Sequence, residues 1–85
     1  MMQPAERTKR KAVFQILRAA QFQTDGIHGD ALEYAAQMIR EHLQRNHDLP
    51  PDAGGEETAA MIRRLSESEM KRLHYVCLGD LFNAR

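Results

Sequence analysis

The sequence predicts an all-α protein, a compact bundle of three to four helices, and three observations carry that expectation. Helix formers (Ala, Gln, Glu, Arg, Leu, Met) dominate the 85 residues, and no five-residue run alternates in the manner of a β-branched strand. Apolar residues instead recur at three- and four-residue spacing. Two prolines and two glycines within Leu49-Pro50-Pro51-Asp52-Ala53-Gly54-Gly55 can continue neither regular structure. The expected organisation of 1–85 is a single helical domain: a helical hairpin over about 5–46, a Pro/Gly loop over 47–55, and a second helical half over about 56–83. A chain this short hides only about 60% of the surface its unfolded form exposes, so its core is modest.

Each element has its own signals. The first helix starts after Pro4, whose missing N–H is not needed in a first turn, and is expected to reach about Gln23. Val13, Ile16, Leu17 and Ala20 form its apolar stripe. Thr24-Asp25-Gly26 supplies a polar break with a residue free to take positive φ. Asp30 is the expected N-cap of a second helix, Ala31 to about Asn46, with Leu32, Ala35, Ala36, Ile39 and Leu43 inward. Acids at Glu56 and Glu57 suit the N-terminus of a third helix running to Leu65. Ser66-Glu67-Ser68-Glu69 matches a capping box and predicts a fresh helix from Glu67 to about Asn83, with Met70, Leu73, Cys77 and Leu81 inward. A single helix running through Ser66 is the alternative, since serine is only mildly unfavourable inside a helix.

Beyond these stripes the chain carries more apolar surface than one small core requires. At about 100° per residue, Tyr34 and Met38 lie nearly opposite the Leu32, Ile39 and Leu43 stripe. Tyr75, Leu78 and Phe82 form a second row on the last helix, and Phe14 sits at the edge of the first helix's stripe. Isolated exposed apolar residues are ordinary, but three helices wide on two sides predict a contact surface. The expected contact residues are therefore Tyr34, Met38, Tyr75, Leu78, Phe82 and Phe14, serving a homodimer or a protein partner.

Twelve Lys and Arg balance twelve Asp and Glu. Split by segment, residues 1–24 carry +4, residues 25–62 carry −6 and residues 63–85 carry +2. The neutral total excludes the simplest nucleic-acid signature, a strongly basic chain. A local basic segment (Arg7, Lys9, Arg10, Lys11 and Arg18) survives as the alternative, a sequence-independent contact to phosphates. It has no interleaved aromatic to stack on bases, and a solvated helix end explains it as well. The acidic middle suggests a face complementary to a basic protein.

Chemistry finds little support in the residues. Cys77 cannot pair internally, which points to a reducing, cytoplasmic setting; Gln15 and Arg18 interrupt any export signal, and no apolar run approaches a membrane span. His74 and Cys77 share a face at i, i+3 but lack a second ligand pair, while His42 and His47 are expected to point apart. Ser66 and Ser68 read as helix caps and Cys77 as a core residue. His28 and Asp30 form the one polar pair on a constrained turn, better explained as turn and cap chemistry. No glycine cluster has the surroundings of a phosphate loop. The expectation is a non-catalytic protein, without metal or cofactor and without a small-molecule substrate. By size and composition it suits an accessory or inhibitory regulator of the bacterial or phage type.

Overall fold

Pro4 occupies the first position of the first helix, as its fixed φ favours. The computed structural model describes residues 4–79, with side chains from Lys9 onward. Helix α1 spans Pro4–Ala19, α2 Gly29–Asn46, α3 Gly55–Arg63 and α4 Glu67–Leu73, and a π-helical turn, His74–Leu78, continues α4. No strand occurs among the described residues, and the fold is the all-α bundle that the periodicity predicts.

The first helix stops four residues short of its expected end. Gln21 takes a left-handed conformation (φ 59°). Its N–H donates to the Arg18 carbonyl at 3.0 Å, and the Phe22 N–H donates to the Leu17 carbonyl at 2.9 Å. This is a Schellman ending, with Phe22 folded back onto the core beside Leu17. The left-handed position usually holds glycine or asparagine, so a glutamine there gives no sequence signal.

Asp30 is not the cap of α2, as the sequence suggests. His28 holds that place with extended backbone (φ −63°, ψ 144°) and makes no side-chain cap bond. Asp30 falls in the first turn, where its carboxylate meets the positive end of the helix dipole. The far end of α2 closes through Asp48, also left-handed (φ 57°), which lets the Leu43 carbonyl accept from both His47 (2.9 Å) and Leu49 (3.2 Å). Leu49 and Ala53 of the Pro/Gly loop are thereby buried, and Arg40 Nη2 donates to the Ala53 carbonyl at 2.6 Å.

Between α3 and α4 the chain breaks, so the second half is two helices and not one. The capping box at Ser66 is complete: the Glu69 N–H donates to Ser66 Oγ at 3.2 Å, and the Ser66 N–H donates to Glu69 Oε1 at 3.0 Å. The expected extension of this helix to Asn83 lies outside the described residues past Gly79.

Helix α1 packs most extensively on α3 and next on α2, while the π-helical turn packs on α2. Ile16, Leu17, Ile39, Leu43, Ile62, Leu73 and Leu78 fill the shared core, none of them more than 1% exposed. The molecule is flat, 41 × 33 × 17 Å.

Candidate protein-interaction surface

Three large apolar side chains stand in solvent among the described residues: Tyr75 (84% exposed), Tyr34 (61%) and Val76 (50%). Tyr34 and Tyr75 are expected contact residues, and both are on the surface. Met38, one turn after Tyr34 on α2, is half-buried and rests against the core. The Cys77 thiol reaches the Met38 carbonyl at 3.6 Å. The outer stripe of α2 and the exposed pair Tyr75 and Val76 therefore belong to adjoining elements.

Leu78 is a correction. A regular α-helix would place it on the same row as Tyr75, three residues on, facing outward; the structure buries it completely. The π-helical turn explains the difference. Bonds from i to i+5 slip the register by one residue, so Leu73, Cys77 and Leu78 all face the core while Tyr75 and Val76 turn out. Val76 was not legible for the same reason. Phe82 lies outside the described residues. Phe14 is half-buried against the core and lines a cleft of about 430 Å³ between α1 and the start of α2, with Ile27 and Leu32 on its floor and Arg10, Asp30 and Glu33 around it.

The basic segment is dispersed around α1. Lys9 Nζ lies 3.6 Å from Glu33 Oε1, an exposed pair joining the basic start to the acidic middle. Arg10 lines the cleft and, like Lys11 and Arg18, is exposed; the Arg7 side chain lies outside the described ones. Screened pairs like Lys9–Glu33 add about 0–1 kcal/mol, so this contact orients more than it stabilises.

The seam between α2 and α4 holds a histidine cluster. His42 and His47 were expected to point apart, but the winding of the last turn of α2 brings their rings to 6.0 Å between centroids. His42 is buried, with Nδ1 3.3 Å from Asn46 Nδ2; the same amide donates to the His42 carbonyl at 3.0 Å. An amide N–H can donate only to an unprotonated ring nitrogen, which selects the neutral imidazole. Burial holds the His42 pKa below 6.5, and His47, Arg45 and Arg72 push the same way. His47 Nδ1 in turn lies 3.5 Å from Glu69 Oε2 of α4. Hydrogen bonds from the Ser66 backbone and hydroxyl hold Glu69 below the usual carboxylate value. His74 bonds to the Ala20 carbonyl and so fastens α4 to the end of α1.

A pH dependence follows from His42. Its unfolded form takes up a proton near pH 6.5 while its folded form resists, so the unfolded state binds more protons as the pH falls. Stability is therefore expected to be full above about pH 6.5 and to fall below it, until the folded group also protonates. Urea midpoints measured at pH 7.5 and 5.5 check this, and His42→Gln should flatten the difference.

Cys77 is buried, as expected of a core residue, and burial pushes its thiol pKa up, away from the thiolate that nucleophilic chemistry needs. Among the described residues no three His, Cys, Asp or Glu side chains are grouped so as to hold a metal ion, and no helix is long and apolar enough to cross a membrane. No family model, curated protein or solved structure matches the chain.

Proposed function

We propose that the chain is a non-catalytic protein–protein interaction module, an accessory or inhibitory regulator of the bacterial or phage type, acting as a homodimer or by capping a larger protein. The observation that carries this reading is the exposure of Tyr34 and Tyr75 on adjoining elements, in a chain that has only five aromatics. A tyrosine brings large amphipathic area at low rotamer cost, which is why aromatics anchor protein interfaces. Met38 and Val76 extend the apolar area, and Asp30, Tyr34, Glu41 and Arg45 keep the outer side of α2 in solvent.

Nucleic-acid binding through Arg7, Lys9, Arg10, Lys11 and Arg18 draws less support. Lys9, Arg10, Lys11 and Arg18 are all exposed, but Lys9 lies beside Glu33, and Arg10 lines a cleft that it shares with Asp30 and Glu33, so acids accompany two of the four. So few phosphate contacts would give weak affinity with a shallow salt slope.

The paired substitution Tyr34→Ala, Tyr75→Ala tests the proposal. Both side chains are exposed, so the helical circular dichroism and the melting temperature are expected to hold, while self-association or partner capture weakens at least about tenfold. Unchanged assembly in the folded double variant contradicts this face as the contact.

A further inference from the structure

The outer stripe of α2 is complementary to itself when reversed. Asp30, Tyr34, Met38, Glu41 and Arg45 follow one another at intervals of 4, 4, 3 and 4 residues, within an arc of about 80° at 100° per residue. That arc lies well away from the core-facing Leu32, Ala36, Ile39 and Leu43. Asp30, Tyr34, Glu41 and Arg45 are exposed, and Met38 is half-buried at the stripe's edge nearest the π-helical turn. Gln37 Nε2 donates to Glu41 Oε1 at 3.2 Å, an i, i+4 bond that holds this carboxylate on the outer face. Read outward from Met38, the order toward the N-terminus is tyrosine then acid, and toward the C-terminus acid then base.

We propose that the occupant of this stripe is a second copy of the chain, its α2 packed antiparallel on the first about a twofold axis beside Met38. The proposal rests on the interaction reading above and names its partner. With that axis between residues 37 and 38, Asp30 falls opposite Arg45 of the second copy and Tyr34 opposite Glu41 of the second copy, and the two Met38 side chains flank the axis. Every pairing is favourable and occurs twice, as an isologous interface requires. The two aspartate–arginine pairs close the rims. Each tyrosine O–H can donate to a carboxylate, and the adaptable thioethers fill the centre. Asp30 to Arg45 spans about 22 Å of helix at 1.5 Å per residue, a contact line running most of the length of α2. A parallel pairing would set acid on acid and base on base, so the charge order selects the antiparallel arrangement.

Charge reversal tests the arrangement by sedimentation equilibrium at low salt, with the fold followed by circular dichroism. Asp30→Arg alone and Arg45→Asp alone each set like charges opposite at both rims and are expected to raise the dimer dissociation constant at least about tenfold. The double variant, Asp30→Arg with Arg45→Asp, restores opposite charges only in the antiparallel pairing and is expected to return to within about threefold of the parent. Asp30→Asn and Arg45→Gln remove charge without reversing it, and should fall between parent and reversals. This separates the interface effect from a change at the helix terminus.

A double variant as dissociated as the singles overturns the arrangement, as do single variants that dimerise like the parent. If the charge variants are silent while Tyr34→Ala, Tyr75→Ala abolishes the dimer, the interaction reading stands and this pairing falls. A parent chain monomeric at tens of micromolar overturns the second copy as occupant and leaves only the larger protein.

Discussion

Gly55→Ala is expected to destabilise the fold by about 1–3 kcal/mol, the usual cost of overpacking a tight contact. A Cβ on Gly55 would lie 2.5 Å from Gln15 Oε1, 2.7 Å from Ala12 Cα and 2.9 Å from Ala12 Cβ. The glutamine can swing away, but the Ala12 main chain cannot move without shifting α1, and α1–α3 is the most extensive helix pairing in the molecule. In a domain of this size each 1 kcal/mol lowers the melting temperature by roughly 4–8 °C. Gly54→Ala is the matched control. Its φ of −79° suits any residue, and a Cβ there meets nothing within 4 Å. As the N-cap of α3 it loses only the preference of that position for glycine over alanine, and its effect is expected to stay within about 1 kcal/mol. Thermal melts of the two variants separate close helix approach from a general glycine effect; equal melts would contradict the packing of α3 on α1.

Leu78→Ala is expected to cost about 2–5 kcal/mol, because truncating a fully buried leucine removes transfer energy and leaves a cavity. Tyr75→Ala, three residues earlier, is expected to fall within about 0.5 kcal/mol, since that ring is 84% exposed. The contrast reads out the register of the π-helical turn. A regular helix through this segment would put the two residues on one row and bring their costs together. Chemical denaturation of both variants decides it: a Leu78→Ala midpoint near the parent's would contradict the turn.

The parts of the fold legible in the sequence are those set by local chemistry. The Ser66 to Glu69 capping box pairs two orphan amides within four residues, so its pattern carries the geometry with it. The stripe of Leu32, Ala35, Ala36, Ile39 and Leu43 is buried as its spacing predicts, and the opposite placement of Tyr34 follows from the same register. Features chosen by packing left no such trace. Gln21 accepts a left-handed conformation because Phe22 gains a place in the core, a tertiary reward that no local preference announces. The π-helical turn likewise exchanges regular bonding for the burial of both Cys77 and Leu78. That exchange moved Leu78 from the surface to the core and brought Val76 out. Tyr34 on α2 and Tyr75 after Leu73 are exposed as their spacing predicts, while Leu78 and Val76 follow the shifted register of the turn.

The regional charges change meaning in the same way. The basic start and acidic middle meet at Lys9 and Glu33, so part of the cancellation in the total is a contact between α1 and α2. What remains on the outer side of α2 is an ordered alternation of acid, apolar group, acid and base.

Residue-resolved NMR tests most directly the proposal that exposed Tyr34 and Tyr75 mark where this protein meets other proteins. Amide and side-chain shifts are followed as the chain is concentrated or as its partner is added. Changes are expected to cluster at Tyr34, Met38, Tyr75 and Val76, while Lys11 and Arg18 on α1 stay still. Changes centred on Lys11 and Arg18, with the tyrosines unmoved, would contradict it.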